Sequence, residues 1–369
     1  MLLNLFCILV FWNVCFFYAR KYAWKSSFQY SSQNNRRKLF NNFFILIVLY
    51  SLFNSFGGDV SRYKEFVEGA YLDAFYYDVF HYESIYVYLA SISHGYFLLW
   101  KFFVYGLTVF ITYYSALKYN GPSNLIILII TICILPSYGI TRGVLAYSIY
   151  LLGVNVFYQQ KFKYRILGVL LIMSSYAAHT SMIVPILLFP LSFIKLTPKK
   201  LKIALCLAPV FITIINNVPL IIESVFGGSN NMILYKFNTY SNEDKDAYNA
   251  YRSFLTMIYG VIDFVFIIYL LYQGIKSSFK NEHNKKFDHL IMTCFMLAYI
   301  SILFKFSDNY ASAVLYQRYF TMIPFFIYFI VPYFYNQCDS KRPLKTIVSL
   351  GYLKVNFFFL MELYYGSFK

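Results

Sequence analysis

The chain has 369 residues, of which 59% are hydrophobic and 13% are charged, and its mean hydropathy is +0.54. Such a composition excludes a soluble domain, because a soluble fold has nowhere to hide that much apolar surface from water. The net charge of +16 does not indicate a nucleic-acid binder, since the lysines and arginines are scattered between apolar runs. We therefore expect a polytopic membrane protein whose partner is the lipid bilayer.

Apolar runs long enough to cross a bilayer recur along the whole chain. A hydrocarbon core about 30 Å thick needs about 20 apolar residues of helix, and each helix satisfies its own backbone polar groups. We interpret the chain as a single integral membrane domain over 1–369, an all-α bundle of about twelve transmembrane helices. The predicted spans are 1–19, 39–56, 96–116, 123–140, 143–158, 165–179, 180–194, 203–222, 253–273, 289–306, 318–336 and 346–365.

Positive charge is distributed unevenly over the two sides of this arrangement. Counted with Arg165, the loops of one side hold 21 of the 32 lysines and arginines. These loops are 20–38, 117–122, 159–164, 195–202, 274–288 and 337–345. The positive-inside rule makes that side cytoplasmic, which leaves both termini outside.

Two of the predicted outer loops are long. The first, 57–95, has apolar pairs at a spacing near four residues, which predicts an amphipathic helix in the interface with its aromatic face toward lipid. The second, 223–252, carries tyrosines among polar residues. Tyrosines in such a setting suit the apolar faces of sugar rings, and an aromatic belt at the membrane surface is the structural alternative.

Fingerprints of soluble enzymes are missing, since the chain has no P-loop, GxGxxG, HExxH or GxSxG motif. Five of the six cysteines lie within apolar runs, so we expect no disulfide, no metal site and no cofactor. The first run, 1–19, lacks a small-residue cleavage site and predicts a retained helix. The polar residues of the predicted outer face are therefore the candidates for chemistry.

Four arginines stand at the ends of apolar runs on that face. They are Arg62, Arg142, Arg252 and Arg318. A guanidinium is permanently charged and forked, so it can grip two phosphate oxygens at once. We interpret Arg142, in a tight hairpin, and Arg318 as phosphate-binding residues, with a snorkelling anchor for a helix end as the alternative. Arg252 is also placed to balance an acidic loop.

One histidine and two carboxylates are candidates for proton transfer. His179 lies at the turn between two apolar runs, where an imidazole can accept a proton from an attacking hydroxyl or serve as a structural hydrogen-bond partner. Asp59 is placed to cap a helix that begins after Gly58, and Glu83 stands at another helix start. Each is alternatively a ligand of the substrate. Asp263, near the middle of a span, is interpreted as a structural acid.

The polar elements follow a recognisable order along residues 40–335. They are Gly58-Asp59 with Arg62-Tyr63, Glu83-x-x-Tyr86, Arg142, Ala178-His179-x-Ser181 and Gln317-Arg318-Tyr319. This order resembles the EpsG-type branch of the Wzy polysaccharide polymerases. Arg142 and Gly153 also fit an R-x10-G spacing noted in some of these polymerases, whereas Arg318 departs from it because Phe329 stands at the glycine position.

The resemblance implies a membrane glycosyltransferase of the bacterial inner membrane, with its active site facing the periplasm or exterior. The donor would be an undecaprenyl-pyrophosphate-linked oligosaccharide, transferred en bloc to the newest lipid-linked repeat unit. A chain-length regulator and a flippase are the implied protein partners. The implied roles are catalytic for His179, Asp59 and Glu83, and substrate-binding for Arg142, Arg318, Arg62, Arg252, Tyr63 and Gln317.

Other functions fit parts of the same pattern. A transporter or flippase of a lipid-linked glycan would carry coupling charges near the membrane midplane and broken helices in matching halves, whereas the polar residues here gather at the outer ends. An O-antigen ligase would share the outer site, but the histidine-rich signature of ligases is absent around His179. A non-catalytic scaffold would tolerate replacement of the outer arginines.

Overall fold

The computed structural model describes residues 60–72, 83–120, 142–194, 197–217 and 285–305, together with single positions within 6–17, 265–272 and 319–360. Every element in this part of the chain is helical and none is a strand, which confirms the all-α prediction at that level. The α-helices are α1 (Val60–Leu72), α2 (Ser84–Ile92), α3 (Phe97–Asn120), α4 (Arg142–Phe157), α5 (Phe162–Ala178), α6 (Ile183–Leu188), α7 (Pro198–Asn216) and α8 (Lys285–Lys305).

The structure does not confirm the predicted count of twelve spans, because few of the described helices are long enough to cross a membrane. Among the described residues, the stretch Lys285–Phe304 is the one helix both long and apolar enough to cross a membrane. Three shorter apolar stretches are Phe97–Thr112, Gly143–Phe157 and Thr180–Phe193. The predicted spans 39–56 and 123–140 lie outside the described residues.

The predicted span 180–194 differs most from a regular helix. It is divided into a 3₁₀ turn at Thr180–Met182, the six-residue helix α6 and a second 3₁₀ turn at Leu191–Phe193. Proline is the physical reason for the later break, because Pro190 has no N–H to continue the helical ladder. The predicted spans 96–116, 143–158, 165–179 and 289–306 agree with α3, α4, α5 and α8 within about four residues at each end, whereas α7 begins five residues before the predicted span 203–222 and ends six residues before its end.

The chain divides into two compact units, Met1–Ile183 with Tyr328–Lys369, and Val184–Ile327. Each is described by itself below, and the single domain over 1–369 stays a prediction. In the first unit, α4 and α5 form a tightly packed antiparallel pair. A Cβ added at Gly168 would lie 2.5 Å from the backbone nitrogen of Phe157, and one at Gly153 would lie 2.8 Å from the backbone nitrogen of Ile172. Glycine at both positions therefore lets the two backbones approach closely.

Helix α3 packs along α4 through buried hydroxyl and amide groups. The Thr112 and Ser148 hydroxyls share a hydrogen bond of 2.5 Å, and the Asn155 amide donates to the carbonyl of Ser115 at 2.9 Å. Both contacts advance in the same direction along the two helices, so α3 and α4 run parallel. Polar contacts of this kind are a usual way to join helices where the surrounding lipid offers no hydrophobic driving force.

Helices α1 and α2 pack on the first turns of α3 around Trp100. The indole N–H donates to the carbonyl of Tyr86 at 3.2 Å, and the ring contacts Tyr63 and Phe66 at centroid distances of 5.8 and 6.0 Å. Helix α1 thus exists inside the predicted loop 57–95, but its apolar face is not turned toward lipid. Phe66, Val67 and Ala70 are buried within the protein, and the indole packs against Phe66.

The connection between α2 and α3 is a tight turn. His94 and Gly95 adopt φ angles of +50° and +76°, in the left-handed region that favours glycine at the second position. A Cβ at Gly95 would lie 3.3 Å from the ring of Tyr71, so the turn also packs closely on α1. The turn therefore fixes the end of α2 and the start of α3 relative to α1.

Candidate functional site

A histidine and a carboxylate meet at one end of the first unit. Glu83 immediately precedes α2, and His179 immediately follows α5. The Nδ1 atom of His179 lies 3.6 Å from Oε1 of Glu83. The imidazole side chain is 16% exposed and the carboxylate 3%, so the ring is the more accessible member of the pair. The structure therefore brings together two of the three predicted catalytic residues, which are far apart in sequence.

The backbone around His179 sets the direction of its ring. His179 is extended, with φ −160° and ψ 123°, and this interrupts the helical path between α5 and the 3₁₀ turn Thr180–Met182. Its Nδ1 atom accepts a hydrogen bond from the backbone N–H of Ser181 at 3.4 Å, which requires that Nδ1 carry no proton. When the ring becomes protonated, the same nitrogen is placed to donate toward Glu83. The carboxylate can thus stabilise an imidazolium formed during a reaction.

The N-terminus of α4 lies against the ring of His179. A Cβ added at Gly143 would be 3.3 Å from Cδ2 of His179 and 2.7 Å from the hydroxyl of Tyr147. Glycine is therefore the residue that lets the first turn of α4 approach the imidazole. The first backbone N–H groups of a helix have no partner within it and attract anions. No acidic residue occupies this first turn.

Arg142 and Arg62 are helical in the structure. Arg142 is the first residue of α4, and Arg62 lies in the first turn of α1, one residue before Tyr63. Their side chains lie outside the described part of the molecule. The backbone of Arg142 places it at the same end of the first unit as the His179–Glu83 pair, because Gly143 contacts His179.

Tyr63, predicted to bind substrate, is 8% exposed and packs on Trp100. Its ring supports the join between α1 and α3. The remaining predicted site residues lie outside the described residues, so their meeting with Arg142 stays a prediction. They are Asp59, Arg252, Gln317 and Arg318.

The structure adds two polar residues that sequence reasoning did not assign a role. Ser181 is 6% exposed, and its Oγ has no hydrogen-bond partner among the described residues. Lys101, in the first turns of α3, is 3% exposed and its Nζ lies 5.4 Å from the centroid of the Phe97 ring. The available signal for Lys101 was a single cation inside the apolar run 96–116.

Gly153 of the R-x10-G spacing lies about three turns after Arg142 on α4, where it packs against α5. Its role in the structure is helix packing, and a phosphate contact needs no glycine there. Within the described residues, no group of three His, Cys, Asp or Glu side chains is arranged to hold a metal ion.

Comparison with protein families assigns the chain to one of them. A model of the EpsG family matches residues 36–368, nearly the whole chain. Comparison with curated proteins and with solved structures finds no match. The match covers α1 to α8 and every residue named above as a candidate for chemistry. The chain therefore belongs to the EpsG family, a family of polysaccharide polymerase-like membrane proteins.

Proposed function

We propose that the protein polymerises undecaprenyl-pyrophosphate-linked oligosaccharide repeat units into a surface polysaccharide. It acts as a glycosyltransferase of the bacterial inner membrane, and its site faces the periplasm or exterior. Family membership supports the polymerase class. The observation that carries the reaction is the His179–Glu83 pair, with 3.6 Å between Nδ1 and Oε1, beside the N-terminus of α4.

Glycosyl transfer needs a group that takes a proton from the attacking sugar. A hydroxyl of the acceptor sugar forms a bond to the anomeric carbon of the donor, and the bond from that carbon to the lipid pyrophosphate breaks. The imidazole of His179 takes the hydroxyl proton at Nδ1, the nitrogen that carries none in the neutral ring, and the carboxylate of Glu83 stabilises the resulting imidazolium. A positioned acid–base group of this kind contributes roughly 10² to 10⁴ in rate.

The leaving pyrophosphate needs fixed positive charge. The start of α4 offers unpaired backbone N–H groups, and Arg142 begins that helix. Arg318 is the second proposed phosphate ligand, with Arg62 and Arg252 as further contacts. Donors that are already in place stabilise the developing charge without reorganisation. Asp59, Tyr63 and Gln317 are assigned to the sugars, with Asp59 as a competing base.

The test is complementation of a deletion strain, read as the glycan profile of the cell surface. The deletion should remove long-chain polysaccharide and leave single repeat units. Arg142→Lys should fail to restore long chains while the protein reaches the membrane at its normal level, because an ammonium cannot reproduce the bidentate contact. Arg165→Lys is the matched control, since Arg165 is exposed in α5 at the predicted cytoplasmic end. Normal chain lengths in the Arg142→Lys strain would contradict the assignment.

The same strain separates the competing functions. Loss of a flippase retains lipid-linked repeat units on the cytoplasmic side, whereas loss of a polymerase accumulates them outside. Loss of a ligase leaves full-length chains on the lipid carrier. Single repeat units on the outer side in the deletion strain are the outcome that supports a polymerase.

A further inference from the structure

Among the described residues, the mechanism above leaves the buried lysine Lys101 unused. Lys101 is 3% exposed, within Phe97–Thr112, one of the shorter apolar helical stretches. An ionisable residue in such a position is costly and is usually retained for function. Lysines that only anchor a helix end extend their ammonium groups into water, and the enclosure of Lys101 argues against that role.

The register of α3 against α4 places Lys101 beyond the start of α4. Lys101, Thr108 and Thr112 lie on one stripe of α3, at intervals of seven and four residues. Thr112 bonds Ser148, so the first residue of α4 is level with a point six residues before Thr112. Lys101 is five residues before that point, and the Asn155–Ser115 contact gives one residue, so Lys101 lies about 2 to 8 Å further toward the beginning of α3 at a rise of about 1.5 Å per residue.

The end of the first unit that holds Lys101 also holds the candidate site. Trp100, its neighbour in the chain, donates a hydrogen bond to the carbonyl of Tyr86, three residues after Glu83. Gly143, the second residue of α4, contacts His179. The buried hydroxyl of Ser181, which has no partner among the described residues, lies two residues after His179. Such a hydroxyl indicates a missing hydrogen-bonding partner.

We infer that Lys101 is a further cation of this site, and that it binds a phosphate group of a polyprenyl diphosphate. An ammonium has three N–H donors, so it can keep a contact within the protein and still donate to a phosphate oxygen. Its attraction for an anion is stronger in an enclosed place than in water. The inference rests on the proposed function, from which it takes the identity of the anion.

Binding to the purified full-length protein in lipid nanodiscs tests the inference directly. The probes are a short-chain polyprenyl diphosphate, the corresponding polyprenol and inorganic diphosphate. Lys101→Met should weaken binding of the polyprenyl diphosphate at least about tenfold, as expected for a lost hydrogen bond to a charged group. Polyprenol binding should stay unchanged. If inorganic diphosphate competes poorly, the ligand is the lipid-linked form and not free diphosphate.

Lys163→Met is the matched control. Lys163 also lies over a ring beside it, with Nζ 5.2 Å from the centroid of Tyr164, but it is exposed. It should bind both probes like the wild type. Lys101→Arg should retain most of the diphosphate affinity, because it keeps the charge.

Two results would overturn the inference. Either wild-type diphosphate affinity in Lys101→Met, or an equal loss for diphosphate and polyprenol, would assign the lysine to structure alone. If Lys101→Met does not fold, Lys101→Gln is measured instead and judged by the same two results. The proposed function fails separately: a deletion strain with normal glycan refutes the polymerase while leaving a measured diphosphate site intact.

Discussion

Two histidines in this molecule have opposite surroundings. In the first unit, the His179 side chain is 16% exposed and faces a carboxylate at the start of a helix. In the second unit, His289 is 1% exposed in the first turns of α8. Its ring packs between Phe189 and Phe193, with centroid distances of 4.9 and 5.3 Å.

The polar partner of His289 is equally enclosed. Its Nδ1 atom lies 2.8 Å from Oγ of Ser192. The Ser192 hydroxyl donates a hydrogen bond to the carbonyl of Phe189 at 2.6 Å. The histidine therefore joins the 3₁₀ turn Leu191–Phe193 to α8. The His289 imidazole is thus far less accessible than that of His179. The comparison teaches that residue type alone does not separate a reactive histidine from a structural one, and that access and a charged partner do.

The strongest test of the comparison replaces Glu83 and His179 of the first unit, one at a time and together. Glu83→Gln should reduce polymer formation about 10²-fold or more, because an amide cannot stabilise the imidazolium as a carboxylate does. His179→Gln should have a similar effect. The double variant should be little worse than either single one, since the two residues act as a unit. The measurement is glycan synthesis per amount of membrane-inserted protein. If the two losses add in the double variant, the two residues act independently and the proposed pair is wrong.

A smaller effect is expected from crowding the ring of His179. Gly143→Ala adds a Cβ that would lie 3.3 Å from Cδ2 of His179 and 2.7 Å from the hydroxyl of Tyr147. The tyrosine tip has to move and the imidazole shifts with it, so we expect a loss of about tenfold, as small displacements of catalytic groups can cause. Thermal unfolding should change little.

Gly106→Ala is the control for that substitution. It lies in α3, and a Cβ there meets nothing within 4 Å. Activity should stay at the wild-type level. The unfolding temperature should be unchanged or slightly higher, because alanine favours the helix. If Gly143→Ala is as active as Gly106→Ala, the start of α4 does not position His179.

The smallest expected effect concerns the second histidine. Ser192→Ala leaves the buried His289 ring without its hydroxyl partner, which should lower the free energy of unfolding by about 1 to 3 kcal/mol. Glycan synthesis per folded molecule should stay unchanged. Thermal unfolding in detergent measures the first quantity, and complementation normalised to protein level measures the second. A loss of synthesis without loss of stability would make His289 part of the reaction.

Some of this architecture was predictable from local sequence. The apolar runs 96–116, 143–158 and 165–179 predict helices that the structure places within a few residues of those limits. Their period and composition are local properties, so a single chain reveals them. The helix α1 inside loop 57–95 was predicted for the same reason, but the covering of its apolar face was not. Phe66 on that face packs against Trp100, which lies about 35 residues further along.

The sequence by itself determined that this is a helical membrane protein with a conspicuous histidine at the end of one run. Composition and the order of motifs carry that information, because both are local in the chain. Only the tertiary structure decided that Glu83 is the partner of His179, that Gly143 admits α4 to the imidazole, and that Lys101 is enclosed. Distances between residues remote in sequence depend on how whole helices pack, and that packing is set by many weak contacts acting together.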